Sequence, residues 1–228
     1  MFLTFDTETT GLPKNFKADV SDSENWPRLV QLAWQLNDQT GKLISNKSII
    51  VKPENFTIPF NSEKVHGIST EKAIKDGIGL TETLLKFEED IKKSKYIIGH
   101  NINFDLKILG AEHYRKNLNS DLENKISIDT GIISKSYCNL KGGLGGGLKM
   151  PKLIEMYEIL FDNKFTDAHD ASYDVNATAK CFFELVKKGE YSNEDLESSD
   201  INYIGPKLKK SNFDQNNKEE KIISNEKF

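Results

Sequence analysis

The sequence predicts a mixed α/β sheet flanked by helices. Three observations carry that expectation. A short apolar run, Phe2 to Phe5, opens the chain with residues suited to a strand buried on both faces. Two segments that read as a hairpin follow it, completing a three-strand antiparallel meander. After that, helical stretches alternate with two further short strands, the pattern that adds parallel strands with helices packed on the faces.

The first strand runs into Asp6-Thr7-Glu8-Thr9-Thr10-Gly11. If the chain stays extended through Thr7, the two-residue side-chain period puts Asp6 and Glu8 on one side. Two like charges delivered to one spot by a core strand are costly unless cations neutralise them. Residues 13–27 read as a polar loop between Pro13 and Pro27. Val30, Leu32, Trp34 and Leu36 alternate with Gln31, Ala33 and Gln35, which predicts a half-buried strand. Asp38-Gln39-Thr40-Gly41 is a turn signal, and Leu43 to Val51 is the returning strand.

Pro53 and Pro59 bracket a loop leading to Val65-His66-Gly67-Ile68. Leu80, Leu84, Phe87 and Ile91 form the stripe of an amphipathic helix. Tyr96 to Gly99 is a short strand that runs into His100-Asn101-Ile102-Asn103-Phe104-Asp105 and a helix to about Asn117. Ile126 to Asp129 is the next strand. A glycine-rich loop spans 142–147, and Pro151 suits the first position of a helix carrying Leu153, Tyr157 and Leu160. The last clear helix runs from Ala171 to Lys188, with Val175, Ala179, Phe182 and Val186 on one face. The expected organisation is a domain over 1–188 and a mostly disordered tail or linker over 189–228.

The chain has 228 residues, 37% hydrophobic and 29% charged, with a formal net charge of −4. Most of that charge lies after residue 188, so the body is close to neutral. Bulk electrostatics would not hold a polyanion on such a surface, so metal ions or a partner must do so locally. Cys138 and Cys181 are far apart and lack a CxxC spacing, which fits a reducing cytoplasm and gives no expectation of zinc. No signal peptide and no run of membrane-spanning length is visible.

Two more acidic positions change the reading of Asp6 and Glu8. Asp105 sits three and four residues before Ile108 and Leu109, at the N-terminal end of the apolar face of its helix. Asp174 lies in the first turn of the last helix, with Asp170 a plausible N-cap and Val175 and Thr178 facing the core. Singly, each is explained by the positive end of a helix dipole. Together, four carboxylates at the ends of strands and helices of one open sheet form a site of the kind such sheets build. Oxygen-only donors suit Mg²⁺ or Mn²⁺. His169 lies five residues before Asp174, where an imidazole titrating near neutrality can activate water. His113, on the expected outer face of its helix, and His100, closing a strand, read as structural. Gly142 to Gly147 is no P-loop: Leu148 intervenes before Lys149, and no Ser or Thr follows the lysine. A mobile surface loop, with Lys141 and Lys149 at its ends, is the expectation.

Asp6-Thr7-Glu8-Thr9-Thr10-Gly11, His100-Asn101-x-x-Phe104-Asp105 and His169-Asp170-Ala171-x-x-Asp174 resemble, in order, the three motifs of the DEDDh exonuclease family. Within it the chain is similar to proofreading exonucleases of bacterial DNA polymerase III, of the epsilon-subunit type. The histidine five positions before Asp174 separates it from the tyrosine branch. Residues 24–28 and 149–153 are also similar to exonuclease segments at the N-terminus of some polymerase III alpha chains, which would make 189–228 a linker to a polymerase.

The resemblance implies an RNase H-like fold and 3′-to-5′ hydrolysis of nucleic acid from single-stranded 3′ ends, DNA favoured, releasing nucleoside 5′-monophosphates. It implies that Asp6, Glu8, Asp105 and Asp174 hold two Mg²⁺, with Mn²⁺ as substitute, and that His169 is the general base. Thr7, Leu12, His66, Asn101 and Phe104 are the candidate substrate contacts, with Val65 to Ile68 resembling a segment that meets the terminal nucleotide. A DNA polymerase is the expected partner and the cytoplasm the expected location. An exoribonuclease, or a non-catalytic polymerase-binding module on the same fold, are the alternatives, and nothing in the motifs reads a 2′-hydroxyl.

Overall fold

The computed structural model describes residues 1–142, 144–164 and 171–198. Five strands form one sheet in the order β3-β2-β1-β4-β5. They are β1 (Phe2–Thr9), β2 (Leu29–Asn37), β3 (Leu43–Ile50), β4 (Tyr96–Gly99) and β5 (Ile126–Asp129). β1, β2 and β3 pair antiparallel, whereas β4 runs parallel to both β1 and β5. This is the mixed sheet that the meander and the later alternation predict.

One face of the sheet carries the main core. Leu3 and Phe5 of β1 pack there with Trp34 of β2, with Leu84 and Phe87 of α3 (Leu80–Ile91), and with Ile102, Leu106 and Leu109 of α4 (Ile102–Lys116). Phe87 is fully buried, its ring 5.4 Å from Phe5 and 5.2 Å from Trp34. Phe87→Ala leaves a cavity that three elements cannot all collapse into. It should cost about 3–5 kcal/mol, read as a lowered urea midpoint at unchanged slope. A loss under about 1 kcal/mol would mean that this core repacks freely.

The opposite face is covered by α8 (Ala171–Lys187), which packs across β1 and β2. With helices on both sides, β2 is buried along its whole length rather than half-buried. Its glutamines are accommodated by hydrogen bonds, Gln31 to the Ser48 hydroxyl and Gln35 to Asn37.

Several expectations are corrected. The loop after Pro59 contains α1 (Phe60–His66) and α2 (Thr70–Asp76), the latter capped by the Ser69 hydroxyl. α5 (Thr130–Ile133) and α6 (Lys135–Cys138) follow β5 directly. Pro151 precedes α7 (Leu153–Phe161) by two positions, because Lys152 takes the N-cap and donates its N–H to Glu155. His113 is not on an outer face: it is 1% exposed, with Nδ1 at the Leu109 carbonyl and Nε2 3.2 Å from Glu88 of α3. The glycine loop is closed by a bridge between Lys141 and Leu148, and the Lys149 ammonium is committed to Glu155. Beyond residue 188 the described chain runs on to residue 198. Tyr191, and Leu196 of α9 (Asn193–Ser198), pack with Phe182, while residues 199–228 lie outside the described residues.

Candidate active site

Asp6 and Glu8 pair with Ala33 and Gln31 across the β1–β2 ladder, so both project to the face covered by α8. The first turns of α8 are seated there by Ala171 and Val175, which close on Ala33. That contact needs small side chains, and its consequence is to lower Asp174 onto the two strand acids. Carboxylate oxygens of Asp6, Glu8 and Asp174 all lie within 4.8 Å of one another.

Asp105 comes from the other side. Thr7, between the two acids, points to the α3–α4 face, where Asp105 sits in the first turn of α4 and is 4% exposed. The Thr7 N–H donates to Asp105 Oδ1 at 3.0 Å and its hydroxyl donates to the same oxygen at 2.5 Å. Asp105 stands outside the group of three, yet close enough to raise the Asp6 carboxyl. Two helix N-termini thus converge on the end of β1 from opposite faces, each bringing one acid.

The electrostatics follow from that crowding. Burial, then Asp105, Glu8 and Asp174, push Asp6 well above the usual carboxylate range. Burial also raises Asp105, to about 7, against the two Thr7 hydrogen bonds that favour its charge, with Asp129 adding to the rise. Crowded oxygen donors that resist ionising fit a divalent cation of the Mg²⁺ or Mn²⁺ kind, which would neutralise them.

A pH dependence follows for the metal-free protein. Both acids titrate higher folded than unfolded, so their contribution to stability is complete below about pH 4 and is lost as pH rises, through about 7 for Asp105. A cation must displace those protons, so its affinity grows with pH. The rise in melting temperature on adding Mn²⁺ should therefore be larger at pH 8 than at pH 5.5. An equal rise at both would contradict these shifts.

The remaining candidates are distributed around this centre. His66 ends α1, is 7% exposed, and accepts the Ile68 N–H at Nδ1, so Nε2 carries the proton and is directed toward the Thr9 backbone. Burial holds its ring below the usual histidine value. α1 borders the turn after β1, since a Cβ on Gly11 would come 3.9 Å from the Ser62 hydroxyl. Leu12 in that turn is 74% exposed, whereas Phe104 is half-buried against the main core. Asn101 is exposed at the start of α4. Thr7 is turned to Asp105, which makes it a positioning residue for that acid. His169 and Asp170 lie outside the described residues.

His100 is structural, as its position closing β4 suggests. Nδ1 lies 3.0 Å from the Thr130 hydroxyl and Nε2 3.0 Å from the Pro151 carbonyl. The carbonyl can only accept, so Nε2 bears the proton. The Thr130 hydroxyl beside Nδ1 also lies 3.2 Å from the Gly99 carbonyl, and its one proton serves these two acceptors. Burial favours this neutral ring. Asp129 went unread in the sequence. It is buried at the end of β5, where its Oδ1 accepts the N–H groups of Asn101, Gly131 and Ile132. The available signal was an acid followed by Thr-Gly, an N-cap pattern. A cavity of about 660 Å³ lies away from the acids, between α8 and the β2–β3 turn, lined by Gly41, Lys180 and Phe183 among others.

Comparison with known proteins gives the family. Over 191 residues the chain is 26% identical to a PolC-type DNA polymerase III of Staphylococcus epidermidis, an alignment covering 82% of this chain and 11% of that protein. The corresponding Staphylococcus aureus protein matches equally. The chain thus spans about a tenth of the length of these relatives. Among solved structures, Escherichia coli exonuclease I in complex with a dA16 oligonucleotide superposes with a TM-score of 0.62 at 20% identity, covering 81% of this chain and 40% of that one. Exonuclease X in complex with 5′-overhanging duplex DNA gives 0.60 at 20% identity, covering 88% and 99%. These likenesses establish an RNase H-like fold. The family model described as exonuclease matches residues 3–182, and the chain belongs to that family.

Proposed function

We propose that this chain is a divalent-metal-dependent 3′–5′ exonuclease of the DEDDh type, acting on single-stranded DNA ends and releasing nucleoside 5′-monophosphates. The observation that carries the reading is the gathering of Asp6, Glu8 and Asp174 within 4.8 Å, with Asp105 alongside. These four would hold two cations, Mg²⁺ or Mn²⁺, whose charge stabilises the attacking and leaving oxygens of an in-line displacement at phosphorus. His169 takes the proton of the attacking water. Leu12, His66 and Phe104 pack against the last base or sugar, which tolerates any sequence, while Asn101 contacts the backbone. The catalytic unit is residues 1–188, with α9 packed on it.

A proofreading role, in the cytoplasm and beside or tethered to a replicative polymerase, is supported by the similarity to PolC-type polymerases. The near-neutral body agrees with a nuclease that relies on tethering. No helix among the described residues is long and apolar enough to cross a membrane.

The test is digestion of matched single-stranded DNA and RNA oligonucleotides, labelled at the 5′ end, with and without Mg²⁺. Stepwise shortening of DNA from the 3′ end, abolished by EDTA, is expected. A strong preference for RNA would replace the substrate assignment by the exoribonuclease reading. Metal-independent cleavage would overturn the mechanism.

A further inference from the structure

Asn101 is held in the left-handed region, at φ 62° and ψ 41°. Among the described residues, Asn55, Asn117, Asn139 and Asp162 also have positive φ; Asn55 lies in a loop bend, and the other three each close a helix, the ordinary C-terminal geometry. Asn101 opens one instead. An asparagine at that place usually caps the helix with its side chain, and here it makes no such bond. Its backbone is fully committed: the N–H donates to Asp129 Oδ1 at 3.1 Å, and the carbonyl accepts the Phe104 N–H. The side chain is exposed. Left-handed backbone at a non-glycine residue is unfavourable and persists only where its surroundings impose it.

The imposing group is Asp129. Its Oδ1 gathers three N–H donors, from Asn101, Gly131 and Ile132, and so ties the start of α4 to the start of α5. A Cβ on Gly131 would come 3.2 Å from that oxygen and 2.9 Å from Met150, so the arrangement is tightly filled. β4 runs parallel to β1 with Ile98 level with Thr4, so two steps on, His100 is level with Asp6. Asn101 therefore emerges at the sheet end that carries the acids.

We propose that Asp129 is a positioning residue for the reaction: it fixes Asn101 so that the free amide donates to a phosphate oxygen of the terminal nucleotide. The inference rests on the nuclease reading given above and adds the residue that sets its substrate contact. An amide donating to phosphate is a common backbone contact and carries no sequence preference.

The experiment measures kcat/KM on a single-stranded DNA oligonucleotide with Mg²⁺, and the melting temperature, for Asn101→Gly, Asp129→Ala, Asp129→Asn and the double variant Asn101→Gly with Asp129→Ala. Glycine adopts the left-handed conformation freely, so Asn101→Gly should fold at least as well while losing about tenfold in kcat/KM, the worth of one hydrogen bond. Asp129→Ala should lose a similar factor, and the double variant no more than either alone. Asp129→Asn keeps the acceptor oxygen and should stay within about threefold of the parent. Losses that multiply in the double variant, or an Asn101→Gly variant as active as the parent, would overturn the assignment. Should Asp129→Ala fail to fold, Asn101→Gly decides by the same criterion. A parent protein inactive on every oligonucleotide would instead overturn the nuclease reading, and this assignment with it.

Discussion

Asp6→Asn should raise the melting temperature of the metal-free protein while removing its activity. The side chain keeps its size, so packing against α8 is retained. What disappears is a charge that burial and three neighbouring carboxylates, Asp105, Glu8 and Asp174, all oppose. Removing it relieves the others as well, and a gain of a few degrees at pH 8 is expected for a domain of this size. The same change removes a ligand from the group of three acids. Cation-assisted displacement supplies several kcal/mol, and each 1.36 kcal/mol is tenfold in rate, so the loss should be on the order of 10³-fold or more. Thermal melts in EDTA and initial rates with Mg²⁺ check the two halves separately. A variant that melts lower and still degrades DNA would mean that Asp6 serves the fold and not the chemistry. The opposite signs are the signature of a site whose cost to stability is accepted for function.

The acids were legible because local periodicity places them. A strand puts Asp6 and Glu8 on one side, and a helix start fixes Asp105 and Asp174 at N-termini. The long strands and the helices of three or more turns were legible for the same reason. α1, α2, α5 and α6 were not, since four to seven residues give no repeated stripe to detect. Burial of β2 on both faces was hidden because Gln31 and Gln35 look like solvent-facing residues until their partners Ser48 and Asn37 are known. His113 misled in the same way, its burial depending on Glu88 of another helix. Thr7 and Asp105 are 98 positions apart, and Asp129 and Asn101 are 28 apart. No local pattern predicts such pairings; they exist only once β1, β4 and β5 lie side by side.

His169→Ala should lower kcat by about 10²–10⁴-fold, the usual worth of a positioned base. α8 begins at Ala171, whose buried contact with Ala33 and Val175 anchors the helix two residues after His169. Asp174 lies one turn further along the same helix, five positions after His169 in the sequence. The variant should melt at the parent's temperature and bind Mn²⁺ with the parent's affinity, because the four acids are untouched. The pH profile separates the base from those acids. A parent rate that falls below about pH 6.5 could reflect either imidazole protonation or Asp105, which titrates at about 7 without metal. Saturating cation pulls the carboxylate contribution to lower pH and leaves an imidazole limb where it was. With Mn²⁺ saturating, the parent should keep a limb near neutrality and His169→Ala should lose it. An unchanged limb in the variant, or a loss in kcat smaller than tenfold, would assign proton removal to another group.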